Sequence, residues 1–153
     1  MPQAGVFKIS AYSEHPVTLT GIRPSTDWKE RSLAGRWSTP GRAGGCRNNP
    51  ATWKENPTYD LSVREAQHVA IRLSQGWADG APAIGFYVLG HDGREVAKTS
   101  TFISGDAVVQ EVDLEQSDEP YKLIVCTFNA GIKADFKVSV YSTSGNFDLK
   151  PAA

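Results

Sequence analysis

The sequence is poor in nearly everything that would announce a chemistry. Two cysteines, Cys46 and Cys126, in 153 residues are too few for a disulfide scaffold, although one bridge between them stays open at this level. With no Cys-x-x-Cys or His-x-x-x-His pairing there is no zinc site to expect. No Asp-x-Asp-x-Asp-Gly loop is there to form an EF-hand. No apolar run approaches the roughly 20 residues that cross a bilayer. The N-terminus, Met1 to Lys8, lacks the charged-then-apolar layout of a signal peptide. The net charge of −1 gives no general pull toward nucleic acid, so no nucleic-acid partner is expected, and attraction to a membrane would have to come from a local patch. No window combines three-and-four apolar spacing with caps at both ends, so long helices are not expected. A reducing, cytoplasmic setting, peripheral to membranes at most, is the expectation.

What the sequence does have is alternation. Phe7, Ile9 and Ala11 alternate with Lys8, Ser10 and Tyr12, as do Tyr59, Leu61 and Val63 with Asp60, Ser62 and Arg64, and Val69, Ile71 and Leu73 with Ala70, Arg72 and Ser74; Ile84, Phe86 and Val88 follow. A denser run follows at Leu123 to Cys126, and the last clear strand sets Phe136, Val138 and Val140 against Lys137, Ser139 and Tyr141. The stretch from Val108 to Glu119 reads equally well as a strand with an acidic exit. Period-two patterning marks half-buried strands. Turn signals separate the runs, at Gly76–Gly80, Gly90–Gly93 and Ser104–Asp106. Together these predict an all-β fold, an antiparallel β-sandwich of about eight strands.

Phe7-Lys8-Ile9-Ser10-Ala11-Tyr12-Ser13 is echoed by Phe136-Lys137-Val138-Ser139-Val140-Tyr141-Ser142. Residues 1–22 therefore read either as the final strand of a preceding copy of the domain or as the first strand of this one, with the sandwich itself at 23–153.

The least generic stretch runs from Gly35 to Tyr59 and reads as a structured loop feeding a strand. Ala43-Gly44-Gly45 allows a sharp bend and close backbone approach. Asn48-Asn49-Pro50 and Asn56-Pro57 join self-bonding side chains to prolines that exclude the preceding residue from the helical region. Trp37 and Trp53 are large apolar anchors for a loop that is otherwise costly to order.

Gly35, Trp37, Ala43-Gly44-Gly45-Cys46, Asn48, Thr52-Trp53, Asn56-Pro57 and Tyr59, taken in order, resemble the signature of the calpain large-subunit β-sandwich, domain III. Ile84-Gly85-Phe86, Tyr121 to Phe128 and Asp135 to Ser142 extend the resemblance over residues 35 to 145. It implies a non-catalytic domain that regulates or scaffolds a papain-like protease core in cis, with interdomain, partner-protein or phospholipid contacts. Calpains with a calcium response carry a dense acidic loop after the Asn-Pro strand. Here that place reads only Arg64-Glu65-Ala66-Gln67, which is more similar to the PalB-like branch.

Cys46 is the one candidate nucleophile, and a thiol needs a histidine beside it. The histidines are His15, His68 and His91, and the sequence alone places none of them beside it. The resemblance places Cys46 in the sandwich signature and the nucleophile in a separate core, so no catalytic residue is expected. Cys126, in an apolar run, reads as core. For metals the expectation is none; calcium rests only on the turn aspartates Asp79, Asp92 and Asp106, which suit turns in any case. The acidic group Glu111, Asp113, Glu115, Asp118 and Glu119 reads as a solvated strand exit. Arg36, Arg42, Arg47 and Lys54 are the candidate contacts for phospholipid headgroups or an acidic protein face.

Overall fold

The computed structural model of the protein describes residues 10, 28–38, 41–76, 80–99 and 101–152. Apart from Ser10, the segment 1–22 lies outside the described residues. So do the 22/23 boundary, His15 and Asp79.

Nine strands form among the described residues: β1 (Lys29–Trp37), β2 (Thr58–Val63), β3 (Gln67–Ser74), β4 (Ile84–Leu89), β5 (Glu95–Lys98), β6 (Ala107–Leu114), β7 (Tyr121–Thr127), β8 (Ala134–Ser142) and β9 (Phe147–Pro151). A single turn of 3-10 helix, Trp53–Glu55, lies between β1 and β2. The strands build two antiparallel sheets, ordered β1-β8-β3-β6 and β5-β4-β7-β2-β9. The expected all-β sandwich is what forms, with more strands than the alternation revealed.

The alternating residues account for the core. Val69, Ile71 and Leu73 of β3 and Phe136, Val138 and Val140 of β8 point in from one sheet. Leu61 and Val63 of β2, Ile84, Phe86 and Val88 of β4, and Leu123 and Val125 of β7 meet them from the other. Facing sheets bury their inner faces in this way while the outer faces stay wet.

β4 departs from that rule, because all six of its residues are buried. Tyr87 and Leu89 are buried without joining the main core, as are Ile124 and Cys126 of β7 and Cys46. These residues mark a second, smaller apolar layer on the outside of the five-stranded sheet. A strand covered on both faces reads as a continuous apolar run, which is how Ile84–Leu89 reads.

Three strands were not legible as such. β1 is an edge strand whose residues are mostly exposed, so it shows charge rather than alternation. β5 and β9 are short. Two expectations are corrected as a result. Gly35, Arg36 and Trp37 belong to β1 and not to the loop, because all three pair with β8, Gly35 opposite Phe136 and Trp37 opposite Ala134. The strand at 136–140 is not the last, since β9 follows it and pairs with β2. Among the described residues no helix is long and apolar enough to cross a membrane.

The acidic group on β6 has a partner. His68 of β3 stands opposite Asp113. Its Nδ1 lies 2.8 Å from the Asp113 carboxylate and its Nε2 lies 3.2 Å from Glu111. The hydrogen bond to Asp113, then that to Glu111, holds the imidazole above its usual pKa. A pKa raised on folding adds stability below the unfolded value, and that stability fades as pH rises through the folded value. Urea midpoints should therefore fall as pH rises above the ordinary histidine pKa of about 6.5. His68→Gln should remove that part of the slope; an unchanged slope would mean the two carboxylates do nothing for the fold.

Candidate functional site

Within the loop from Arg42 to Pro57 the side chain of Asn56 makes the most ties. Asn56 is 6% exposed. Its Oδ1 accepts the Gly44 N–H at 3.1 Å, and its Nδ2 donates to the carbonyls of Gly45 at 2.8 Å and Trp53 at 2.6 Å. The amide thus behaves as a short piece of strand for the glycine pair. Thr52 closes the other side by donating its hydroxyl to the Gly44 carbonyl at 2.7 Å. A Cβ on Gly44 would land on the Thr52 carbonyl. Gly45 has φ +76°, and a Cβ there would sit 2.7 Å from the Ala130 nitrogen. Both glycines are required by close backbone approach. The neighbouring turn is made by Asn49 rather than Asn48. Asn49 donates its side-chain amide to the Cys46 carbonyl at 3.2 Å, while Asn48 is exposed.

Pro57 and Trp37 are tied by a hydrogen-bond account that the sequence does not display. Thr58 pairs with Ile124, so Pro57 comes next opposite Val125. Val125 donates its N–H to the Pro57 carbonyl at 3.1 Å. A hydrogen-bonded antiparallel pair returns the favour, but proline has no N–H to give. The Trp37 indole supplies the missing donor, its Nε1 lying 3.1 Å from the Val125 carbonyl. Trp37 is wholly buried, with its ring 4.6 Å from that of Phe136 between centroids. Gly35 makes room, because a Cβ there would strike the Phe136 ring and the Tyr59 hydroxyl.

Beyond the glycines the loop lies over the outer face of β4 and β7. Trp53 meets Tyr87 edge to face at 5.5 Å. Arg47 lies over both rings, its guanidinium 4.9 Å from the Trp53 ring and 4.5 Å from the Tyr87 ring, and it pairs with Glu95 of β5. Cys46 sits under this cover, its N–H bonded to the Phe128 carbonyl at 3.2 Å. Burial, and then the nearby Cys46, push the Cys126 thiol far above its usual pKa. Neither thiol is paired. His68 is engaged on the other sheet by Asp113 and Glu111, and His91 lies in the β4–β5 hairpin.

The four candidate contact cations separate into two kinds. Arg47 is stacked and paired, and Arg36 meets Asp135 in an exposed pair at 3.8 Å. Arg42 and Lys54 have no carboxylate within ion-pair distance among the described residues. Both line a depression of about 410 Å³ bounded by Leu33, Gly35, Pro57 and Ala152. Burial raises the pKa of the Tyr59 phenol at its base, against the pull of Arg42. Asp92 and Asp106, the two turn aspartates among the described residues, do not converge. Asp92 is in the β4–β5 hairpin beside Arg94, and Asp106 precedes β6 at the far end of β5, beside Arg72.

A family model described as calpain large subunit, domain III, matches residues 33–141. The chain belongs to that family. It is 26% identical to calpain clp-4 of Caenorhabditis elegans over 81% of its own length and 23% of that protein. It is also 26% identical to the putative calpain-like cysteine protease A of Dictyostelium discoideum, over 81% of the chain and 20% of that protein. A third relative, the serine/threonine-protein kinase 4 homolog B of Dictyostelium discoideum, is 24% identical over 85% of the chain and 13% of its own length. The chain thus spans less than a quarter of each of these relatives. A solved structure of infectious bursal virus derived T=1 particles aligns at a TM-score of 0.31 and 14% identity over 92% of this chain and 39% of that one, which carries no argument.

In this domain III sandwich the indole of Trp37 and the ring of Pro57 form one unit. Trp37→Phe keeps most of the packing and removes the donor, so it should cost about 1–3 kcal/mol in urea denaturation. Pro57→Ala restores an N–H opposite Val125. In that background Trp37→Phe should cost clearly less, and strictly additive costs would separate the two residues.

Proposed function

We propose that this domain is a non-catalytic binding domain that positions or restrains a papain-like calpain protease core carried in the same polypeptide. The observation that carries the reading is the domain III match over residues 33–141, joined to a loop whose signature side chains are spent on structure while Arg42 and Lys54 face outward without carboxylate partners. Cations on the rim of an interface steer and select partners more than they add affinity. The similarity to part of a kinase homolog supports a module whose role is attachment, since attachment does not depend on the chemistry of its neighbour. The reading extends to a cytoplasmic setting, in keeping with two unpaired buried thiols. It also extends to a second copy of the sandwich, motivated by the echo of Phe7–Ser13 in β8.

The second reading is an independent sandwich that meets phospholipid, with or without calcium. The cations favour headgroup contact. The separation of Asp92 from Asp106, each beside an arginine, tells against a calcium cluster made by them. A calcium-dependent liposome binding that vanishes in Asp92→Asn and Asp106→Asn would reverse that preference.

Two measurements test the leading reading. The domain mixed with the protease core of a calpain should bind it and change its turnover of a fluorogenic peptide, and the Arg42→Glu, Lys54→Glu variant should weaken that binding about tenfold. No association and no change in turnover would sink the proposal. With Cys46 3% exposed and Cys126 wholly buried, neither thiol should react with a disulfide reagent until urea unfolds the chain. Rapid labelling of native Cys46 would instead favour chemistry at that residue.

A further inference from the structure

We infer that the edge of β1 that no described strand covers is a strand-addition site for an extended acidic segment of a partner protein. This goes beyond the reading above, because it holds whether the segment comes from a protease core or from another protein.

The two sheets end in four edges, β1 and β6 in one and β5 and β9 in the other. Exposed edges are normally protected by shortness, proline or charge. β5 has four residues, and β9 has five and ends in Pro151. β6 bears Glu111 and Asp113, both engaged with His68. β1 has nine residues without proline, and Leu33-Ala34-Gly35 at its middle carry neither charge nor bulk beyond one leucine. Its one partner strand among the described residues is β8. In an antiparallel pair alternate residues turn their N–H and C=O groups away from the partner, so half of the polar backbone of β1 faces outward.

The middle of β1 lines the depression described above. Leu33, Ala34 and Gly35 line it together with Pro151 and Ala152 of the neighbouring sheet and with Arg42 and Lys54 of the loop. Backbone donors and acceptors along β1 match a peptide, which offers both, better than a lipid headgroup, which offers acceptors for the cations but little for the carbonyls. Strand addition takes affinity from main-chain hydrogen bonds and selectivity from alternate side chains. The two cations choose carboxylates, although Glu55, also on the rim, narrows where those carboxylates sit.

The test is an NMR titration of the full chain with a blocked peptide of about eight residues alternating Glu and Val. The amides of Leu33, Ala34 and Gly35 should shift. A Lys–Val peptide, or a Glu–Val peptide N-methylated on the strand face that meets β1, should bind at least about tenfold more weakly. Arg42→Glu with Lys54→Glu should weaken the Glu–Val peptide to a similar degree while leaving the spectrum folded. Equal binding of the lysine peptide, or no shift at Leu33–Gly35 with millimolar peptide, would overturn the inference. Phosphatidylserine-containing vesicles that shift these amides when the peptide does not would also overturn it and assign the depression to headgroups. Because no protease core is present, a failed core association and a failed strand addition are separate results.

Discussion

The carboxamide of Asn56 is the tie on which the rest depends. Placed at the end of the loop and buried, it replaces the neighbours that Gly44 and Gly45 would have had in a sheet and also takes the Trp53 carbonyl. Buried backbone groups left without partners cost more than the bonds they make are worth, so the loop could not lie against the protein without this amide. Once the glycine pair is fixed, Cys46 is set beneath the loop and Trp53 and Arg47 are set above Tyr87. The loop is then a third layer on the sandwich.

That third layer explains a division of labour among the side chains. The reactive-looking residues of the loop are the ones spent on holding it: the thiol of Cys46 is covered, and the guanidinium of Arg47 is gripped by two rings and a carboxylate. Arginine suits that place because its flat, weakly hydrated cation stacks where a lysine would keep its water. The groups left facing outward, Arg42 and Lys54, are suited to recognition.

Legibility in the sequence followed burial. Strands with one wet face, such as β3 and β8, declare themselves by alternation, and β4 declares itself by having none, because both of its faces are covered. β1 hid because an edge strand with a mostly exposed surface is written in charged residues, and its last three residues were absorbed into the loop motif. Within the loop, the glycines and the Asn-Pro pair stood out because close approach and fixed φ demand those residue types. Asn49 did not stand out from Asn48, since either residue type can close such a turn and only position decides which does.

By itself the sequence determined that this chain folds as two facing antiparallel sheets with a tightly bent, aromatic-anchored segment before the Asn-Pro strand, because periodicity and backbone restriction are local properties. Only the tertiary structure decided which partners those residues find. Trp37 answers a carbonyl 88 residues away. Asp92 and Asp106 are carried to opposite ends of β5, and of four similar cations two meet carboxylates and two meet none among the described residues. Such choices depend on which strands become neighbours and in what register, and no local pattern carries that information.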